Sequence, residues 1–365
     1  MKVEKVAILG AGNGGITAAA DLKSRGFEVR LYELPQFGRN LDQIKKENGI
    51  LFKSKNGSRK VIPDMVTTCI EDAVKGADVV LLVIPSFAVE AFAKVSAPVI
   101  EEEQPILITS SSALGSLRFV NTAREMGIHK KFKIGETNTL PYGTRAFPEK
   151  AEVELAWMVT HIYFAAYPAK NTNELLKPFR QLYEYIFPVS NIWEVTLRNG
   201  NPEIHPGPVL LNAGRIDYSK GEFYLYKEGM TEHTVNLVYA VSAERKKLAE
   251  AFGFEVDDPK VSRQKRGSIP QGSEPLDVLL RNSEVLSNIK GPICVDNRYL
   301  TEDIPMGLVL MSSLGKTLGI PTPAADAIIT LGSIILKQNF MDEGITLEKL
   351  GIGGLSPNDL NQIVA

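Results

Sequence analysis

The apolar positions change their period part-way along the chain. Residues 5–9 form an apolar run that ends at Gly10, and a strand pattern at 28–32 ends at Glu33. Residues 79–84 form a longer run ended by Pro85, and 106–109 lead into Ser110, Ser111 and Ser112. Runs this short and this apolar suit strands buried on both faces of a parallel sheet. Residues 61–68 and 133–136 read as further strands, the latter followed by Thr137, Asn138 and Tyr142. Helical patterns intervene after Gly15, at 69–75 and at 89–99. The β-rich stretch 152–166 extends the sheet, and 173–185 adds a helix. Such alternation predicts a doubly wound parallel sheet, with ligands bound beyond the carboxyl ends of its strands.

Beyond residue 187 the apolar period becomes helical, at 192–197, 206–216, 231–252, 275–290, 305–318 and 324–336. The predicted fold class is α/β: an N-terminal Rossmann-type doubly wound parallel sheet over 1–187, followed by a mainly α-helical domain over 188–365. The polar stretch 256–274 reads as a long, mobile flap. Ser356 followed by Pro357 reads as a helix N-cap with proline at the first helical position.

The sharpest local signal is Gly10-Ala11-Gly12-Asn13-Gly14-Gly15, placed where the first strand must turn into a helix. Gly10 permits the tight turn, Gly12 lets backbone N–H groups approach a pyrophosphate, and Gly15 lets helix pack on strand. Asn13 and Gly14 lie in the same turn. Glu33 falls where a carboxylate holds the adenosine ribose and repels a 2′-phosphate, which favours NAD. Arg30 and Arg39 stand close enough in sequence to admit NADP. Pro85 belongs to the same rim of polar turns.

Composition narrows the partners. The chain has 365 residues, 44% hydrophobic and 23% charged, with net charge −2. That balance points to small-molecule substrates, with no nucleic acid and no membrane, and it is compatible with a homodimer. Two cysteines make no disulfide framework, and with four histidines they make no zinc site. The strand that begins at residue 5 leaves no signal peptide, so a cytoplasmic setting is expected.

A nicotinamide enzyme needs an acid or base near the reacting carbon, and histidine titrates near neutrality. His129 sits beside Lys130 and Lys131 and reads as exposed. His161 lies in an apolar strand and reads as structural, and His233 begins an amphipathic helix. His205 precedes the helix carrying Asn212 at the domain junction. It is either an acid–base group facing a cleft or a helix-entry residue. Its orienting carboxylate would be Asp303 or Glu302, which read equally well as helix N-cap acids. Arg298 could grip a phosphate or carboxylate, or form a surface ion pair.

Across nearly its whole length the chain resembles the octopine/nopaline (opine) dehydrogenase family. The resemblance rests on residues 10–15, 136–142, 204–208 with Asn212, 221–229 and 298–305. It implies that His205 and Asp303 form a catalytic dyad and that Arg298 contacts the cofactor pyrophosphate. The family reaction is NAD(P)H-dependent reductive condensation of an amino acid with a 2-oxo acid such as pyruvate. The implied course is imine formation in the interdomain cleft, hydride transfer there, and domain closure to exclude water. Thr137, Asn138 and Asn212 are candidates for the substrate pocket. Two other readings compete. A 2-hydroxy-acid or ketopantoate-like reductase would need no amine and would use a lysine such as Lys220 or Lys227. A non-catalytic NAD(H) sensor would need no proton shuttle.

Overall fold

A computed structural model describes the whole chain, Met1–Ala365. Twelve strands form two sheets: β1 (Lys5–Leu9), β2 (Glu28–Tyr32), β3 (Ile50–Ser54), β4 (Gly57–Val61), β5 (Met65–Thr67), β6 (Val79–Leu82), β7 (Pro105–Ile108), β8 (Lys133–Thr137), β9 (Tyr142–Phe147), β10 (Glu152–Met158), β11 (Ile162–Tyr167) and β12 (Ile186–Pro188). The main sheet runs β12-β11-β8-β7-β6-β1-β2-β5. Every neighbouring pair in it is parallel except β11 against β8. Chain order reverses direction between β1 and β6, so the switch point lies beyond the ends of those strands.

The continuous apolar runs have a simple cause. Val6, Ile8, Val79, Leu81 and Leu107 enter one core cluster, while Ala7, Leu9, Val80, Leu82, Ile106 and Ile108 enter another. Alternate side chains point to opposite faces, and both faces are covered, so every position must be apolar.

The stretch 152–166 does not extend the main sheet as one piece. β10 joins β4, β3 and β9 in a second, four-stranded sheet, and only β11 enters the first. The polar outward positions of β10, Glu152 and Glu154, pair with Lys53 on β3, which suits a half-exposed sheet. β11 (Ile162–Tyr167) is apolar enough to lie between covered faces. The second sheet packs on the helix Asn13–Ser24, where Thr17 Oγ1 and Thr144 Oγ1 lie 2.7 Å apart. The strand expected at 61–68 is likewise two pieces, the end of β4 and β5.

The chain forms two compact units, one of Met1–Val195 with Val364–Ala365, the other of Thr196–Ile363. The boundary expected after residue 187 thus falls eight residues later, because Ile192, Trp193 and Val195 are fully buried in the first unit. Val364 also returns there, its carbonyl accepting from Ala169 N–H at 2.8 Å.

The second unit is helical, with local departures from the expected spans. The expected helix 206–216 breaks at Asn212 into Pro206–Leu211 and Ala213–Ser219. The expected 305–318 begins with a wide π turn, Ile304–Leu308, before Val309–Leu318, and 275–290 is helical only over Leu276–Arg281. The expected flap 256–274 contains a helix, Pro259–Lys265. Asp258 caps it through Lys260 and Val261 N–H groups, and Arg263 anchors it in the core. Ser356 caps the helix Pro357–Gln362 in a reciprocal capping box with Asp359.

Candidate active site

The first unit carries the glycine turn. Gly10 has φ +106° and donates to Tyr32 O at 2.9 Å. A Cβ on Gly10 would lie 2.6 Å from Val83 O, and one on Gly15 would lie 1.7 Å from Gly10 O. A Cβ on Gly14 would meet Val83 and Leu140 at 2.7 and 2.8 Å, whereas one on Gly12 would meet nothing within 4 Å. The helix Asn13–Ser24 starts there with no side-chain cap and no acid in its first turn. Its leading N–H groups and its dipole are therefore open to an anion. A pyrophosphate fits this turn.

Gly12→Ala fills that space without touching the fold. We expect NADH affinity to fall at least tenfold, about 1.4 kcal/mol, with the thermal midpoint unchanged. Gly15→Ala should instead prevent folding. An unaltered NADH Kd in soluble Gly12→Ala would remove the pyrophosphate from this turn.

Around the turn, several polar groups are already engaged. Asn13 Oδ1 accepts from Ala146 N–H at 2.9 Å and ties the turn to β9. The Glu33 carboxylate, 6% exposed, accepts from Ala11 and Leu34 N–H groups, both at 2.8 Å. Burial raises its pKa against the pull of those amides. Glu33 thus clamps the glycine turn to the end of β2. Arg30 is held by Glu28 and by the Asp72 and Lys75 carbonyls, whereas Arg39 is exposed. Pro85 follows β6 and opens the short 3₁₀ turn Ser86–Ala88.

The loop after β7 holds three non-glycine residues at positive φ, Ser110 (+58°), Ala113 (+55°) and Leu114 (+55°). Such backbone persists only where its surroundings over-determine it, and it clusters at functional sites. Thr137 supplies part of that determination: its Oγ1 accepts from Ser110 N–H at 3.1 Å and its carbonyl from Ser111 N–H at 2.8 Å. Asn138 Oδ1 accepts from Tyr163 N–H at 2.9 Å. Both side chains are fully buried.

Beneath the loop, Glu136 accepts from Ser116 N–H at 2.6 Å, and burial pushes its carboxyl up to about 7. A carboxyl raised on folding binds its proton more tightly in the native state. Its cost therefore appears as pH rises from about 4.5 to about 7 and is full above that. Glu136→Gln should stabilise the protein at pH 8, on the order of 3 kcal/mol, and leave it unchanged at pH 4.5. Equal urea midpoints for the two proteins at pH 8 would show that the carboxylate is solvated.

The second unit holds the histidine. His205 links the short helix Asn201–Ile204 to Pro206–Leu211, where Pro206 occupies the first turn. Its Nδ1 lies 2.7 Å from Asp303 Oδ2, and its Nε2 lies 3.1 Å from the Tyr226 hydroxyl. The ring stacks on Tyr299 at 4.1 Å and 21°. The His205 and Asp303 side chains are 13% and 8% exposed. Asp303 makes no capping bond to the turn that follows it. Glu302, its rival in sequence, is taken by Arg298, whose Nε donates to it at 2.9 Å. Arg298 itself is 61% exposed. Asn212 Nδ2 donates to Pro208 O at 2.8 Å and Gly229 O at 3.2 Å, pinning the helix end to the 225–229 turn.

Residues 188–336 match the model for the NAD/NADP octopine/nopaline dehydrogenase α-helical domain, and 5–115 match the NAD-dependent glycerol-3-phosphate dehydrogenase N-terminus. The opine dehydrogenase of Arthrobacter sp. (strain 1C) is 32% identical over 98% of both chains. The chain belongs to the opine dehydrogenase family. Its members are NAD(P)-dependent oxidoreductases acting on CH–NH donors. Octopine dehydrogenase of Mizuhopecten yessoensis is 27% identical over 93% of this chain and 92% of its own. An octopine dehydrogenase structure in complex with NADH and agmatine superposes with TM-score 0.77 at 20% identity, covering 98% of this chain and 97% of that one. An NADP⁺-bound yersinopine dehydrogenase gives 0.71 at 16%, covering 99% and 98%. Both matched family models are of NAD- or NAD/NADP-dependent dehydrogenases, which makes NAD(P) the cofactor of the family this chain belongs to.

The other histidines have different surroundings. His129 and His233 are exposed, and His161 stacks on Phe187 at 4.2 Å. Lys220 and Lys227 are exposed as well, so no lysine enters the His205 site from that segment. Tyr226 and Tyr299 were not singled out from sequence. Both lie in segments that carried the family resemblance, but an aromatic in a helical pattern gives no sign that its hydroxyl meets a histidine.

Proposed function

We propose that this chain condenses an amino acid with a 2-oxo acid such as pyruvate and reduces the product to a secondary amine dicarboxylate. The observation that carries the reading is the 2.7 Å contact between His205 and Asp303, 98 positions apart, in a chain of this family. When bound, reduced nicotinamide supplies the hydride for the imine carbon.

His205 and Asp303 supply the proton chemistry. Asp303 holds Nδ1–H, so the proton taken up or released is the one at Nε2. Nε2 accepts a proton as the amine attacks the keto carbon. It gives that proton to the keto oxygen, forming the carbinolamine; the second amine proton follows the same route to that hydroxyl, which leaves as water as the C=N bond forms. Arg298, itself exposed, binds the pyrophosphate by exchanging its partner Glu302 for a phosphate oxygen. Thr137 and Asn138 act through the Ser110–Leu114 loop they hold, and Asn212 through the 225–229 turn.

The test is NADH oxidation by the purified protein with 2-oxo acids, with and without a pool of amino acids. Oxidation that needs both co-substrates supports the reading. Oxidation with a 2-oxo acid alone would make the protein a simple 2-hydroxy-acid or ketopantoate-like reductase. Tight NADH binding with no turnover across the panel would favour a sensor.

A further inference from the structure

His205 has hydrogen-bond partners on both nitrogens and a ring against its face. Asp303 takes Nδ1, the Tyr226 hydroxyl stands 3.1 Å from Nε2, and Tyr299 stacks on the imidazole. Tyr226 is 7% exposed, and its hydroxyl also bonds Tyr299.

An ionised carboxylate only accepts, so Asp303 keeps a proton on Nδ1 whether His205 is neutral or charged. Nε2 must then change character. In neutral imidazole it is a bare acceptor, and in imidazolium it is a donor. A buried group that suits one state leaves the other unsatisfied, at a cost. A hydroxyl suits both, because its hydrogen can rotate while its oxygen still accepts.

We propose that Tyr226 is a positioning residue for His205. In the resting enzyme its hydroxyl donates to Nε2 of the neutral ring; it turns to donate to Tyr299, which frees Nε2 for the substrate proton, and then accepts from Nε2–H of the charged ring. This rests on the reading of His205 as the proton carrier. The charged and titratable groups facing Tyr226 are Tyr299, Arg263 and Asp303. Asp303 meets His205 at Nδ1, and Tyr226 itself is the group that meets Nε2. Burial lifts the Tyr226 phenol well above 10, so the hydroxyl keeps its hydrogen throughout.

Two variants separate the roles. Tyr299→Phe keeps the stacked ring and the donor to neutral Nε2, but removes the acceptor that the Tyr226 hydroxyl turns toward. It should destabilise the charged state alone. Tyr226→Phe removes the bond to Nε2 in both states.

The experiment is a ¹⁵N-imidazole NMR titration of the full chain without cofactor, with the His205 signal identified by its loss in His205→Ala. The pH profile of kcat/KM is measured alongside. We expect Tyr299→Phe to lower the His205 midpoint by roughly half to one pH unit, one hydrogen bond's worth. We expect Tyr226→Phe to move the Nε2 chemical shift and lower kcat by about tenfold or more, with KM little changed. A His205 titration and a pH profile that match the parent in both variants would overturn the proposal. Turnover that survives His205→Ala would sink the proton-carrier reading instead, and the NMR titration would still decide what Tyr226 does.

Discussion

His205→Ala should reduce kcat by about 10²–10⁴-fold, the usual worth of a positioned acid–base group. Asp303→Asn should cost as much, although its side chain keeps its shape. The asparagine can present an N–H to Nδ1. That would turn the imidazole to the Nε2–H tautomer, leaving no lone pair to take the proton from the attacking amine. NADH Kd should stay within about threefold of the parent in both variants, because the glycine turn that fits the pyrophosphate lies in the other unit. The double variant should be little slower than either single, since the two residues act as one device. Steady-state kinetics with separately measured NADH binding checks this. Full activity in Asp303→Asn would mean that the 2.7 Å contact is structural.

Glu203→Gln should lower stability by about 3–5 kcal/mol, the cost of breaking a buried ion pair from one side. Glu203 lies two residues before His205 and its side chain is 1% exposed. Its oxygens accept from Arg245 Nε at 3.0 Å and from Arg263 Nη1 at 3.0 Å, with those side chains 4% and 7% exposed. Removing the carboxylate strands two guanidiniums that cannot lose their charge.

Burial alone would raise the Glu203 carboxyl, but Arg245 and Arg263 outweigh it and hold it below 4.5. A carboxyl depressed on folding adds stability above its unfolded value, and that stability is lost as pH falls through the folded one. The gap between parent and Glu203→Gln should therefore be full at pH 7, start to narrow below about pH 4.5, and close only as pH falls through the lower folded value. The helix Pro259–Lys265 is fastened through Arg263, so it should lose hydrogen-exchange protection first. Urea unfolding followed from pH 7 downward measures the gap and its pH dependence, and native-state hydrogen exchange follows the helix. A loss under about 1 kcal/mol would show that water reaches the arginines.

Features set by neighbours in the chain were legible in sequence. The glycines of the turn were readable because their steric demand comes from atoms close along the backbone or directly beneath it, as the 1.7 Å approach at Gly15 shows. Ser356 was readable as a cap because its partner, Asp359, is three residues away. Asp258-Pro259 carries the same kind of signal, but a polar stretch rich in lysine and arginine reads as loop until Arg263 meets Glu203 in the fold. The division of 152–166 between two sheets was not legible, because period two is the same in either sheet.

The sequence by itself determined a glycine turn at the switch point of a parallel sheet, a helical second half, and His205 as the histidine worth testing. Only the tertiary structure decided that Asp303 rather than Glu302 orients it, that Tyr226 and Tyr299 complete its surroundings, and that Glu33 faces inward to clamp the turn. The physical reason is range. Backbone sterics, caps and burial periods act within a few residues, whereas a hydrogen bond joining positions 98 apart depends on how the intervening chain packs.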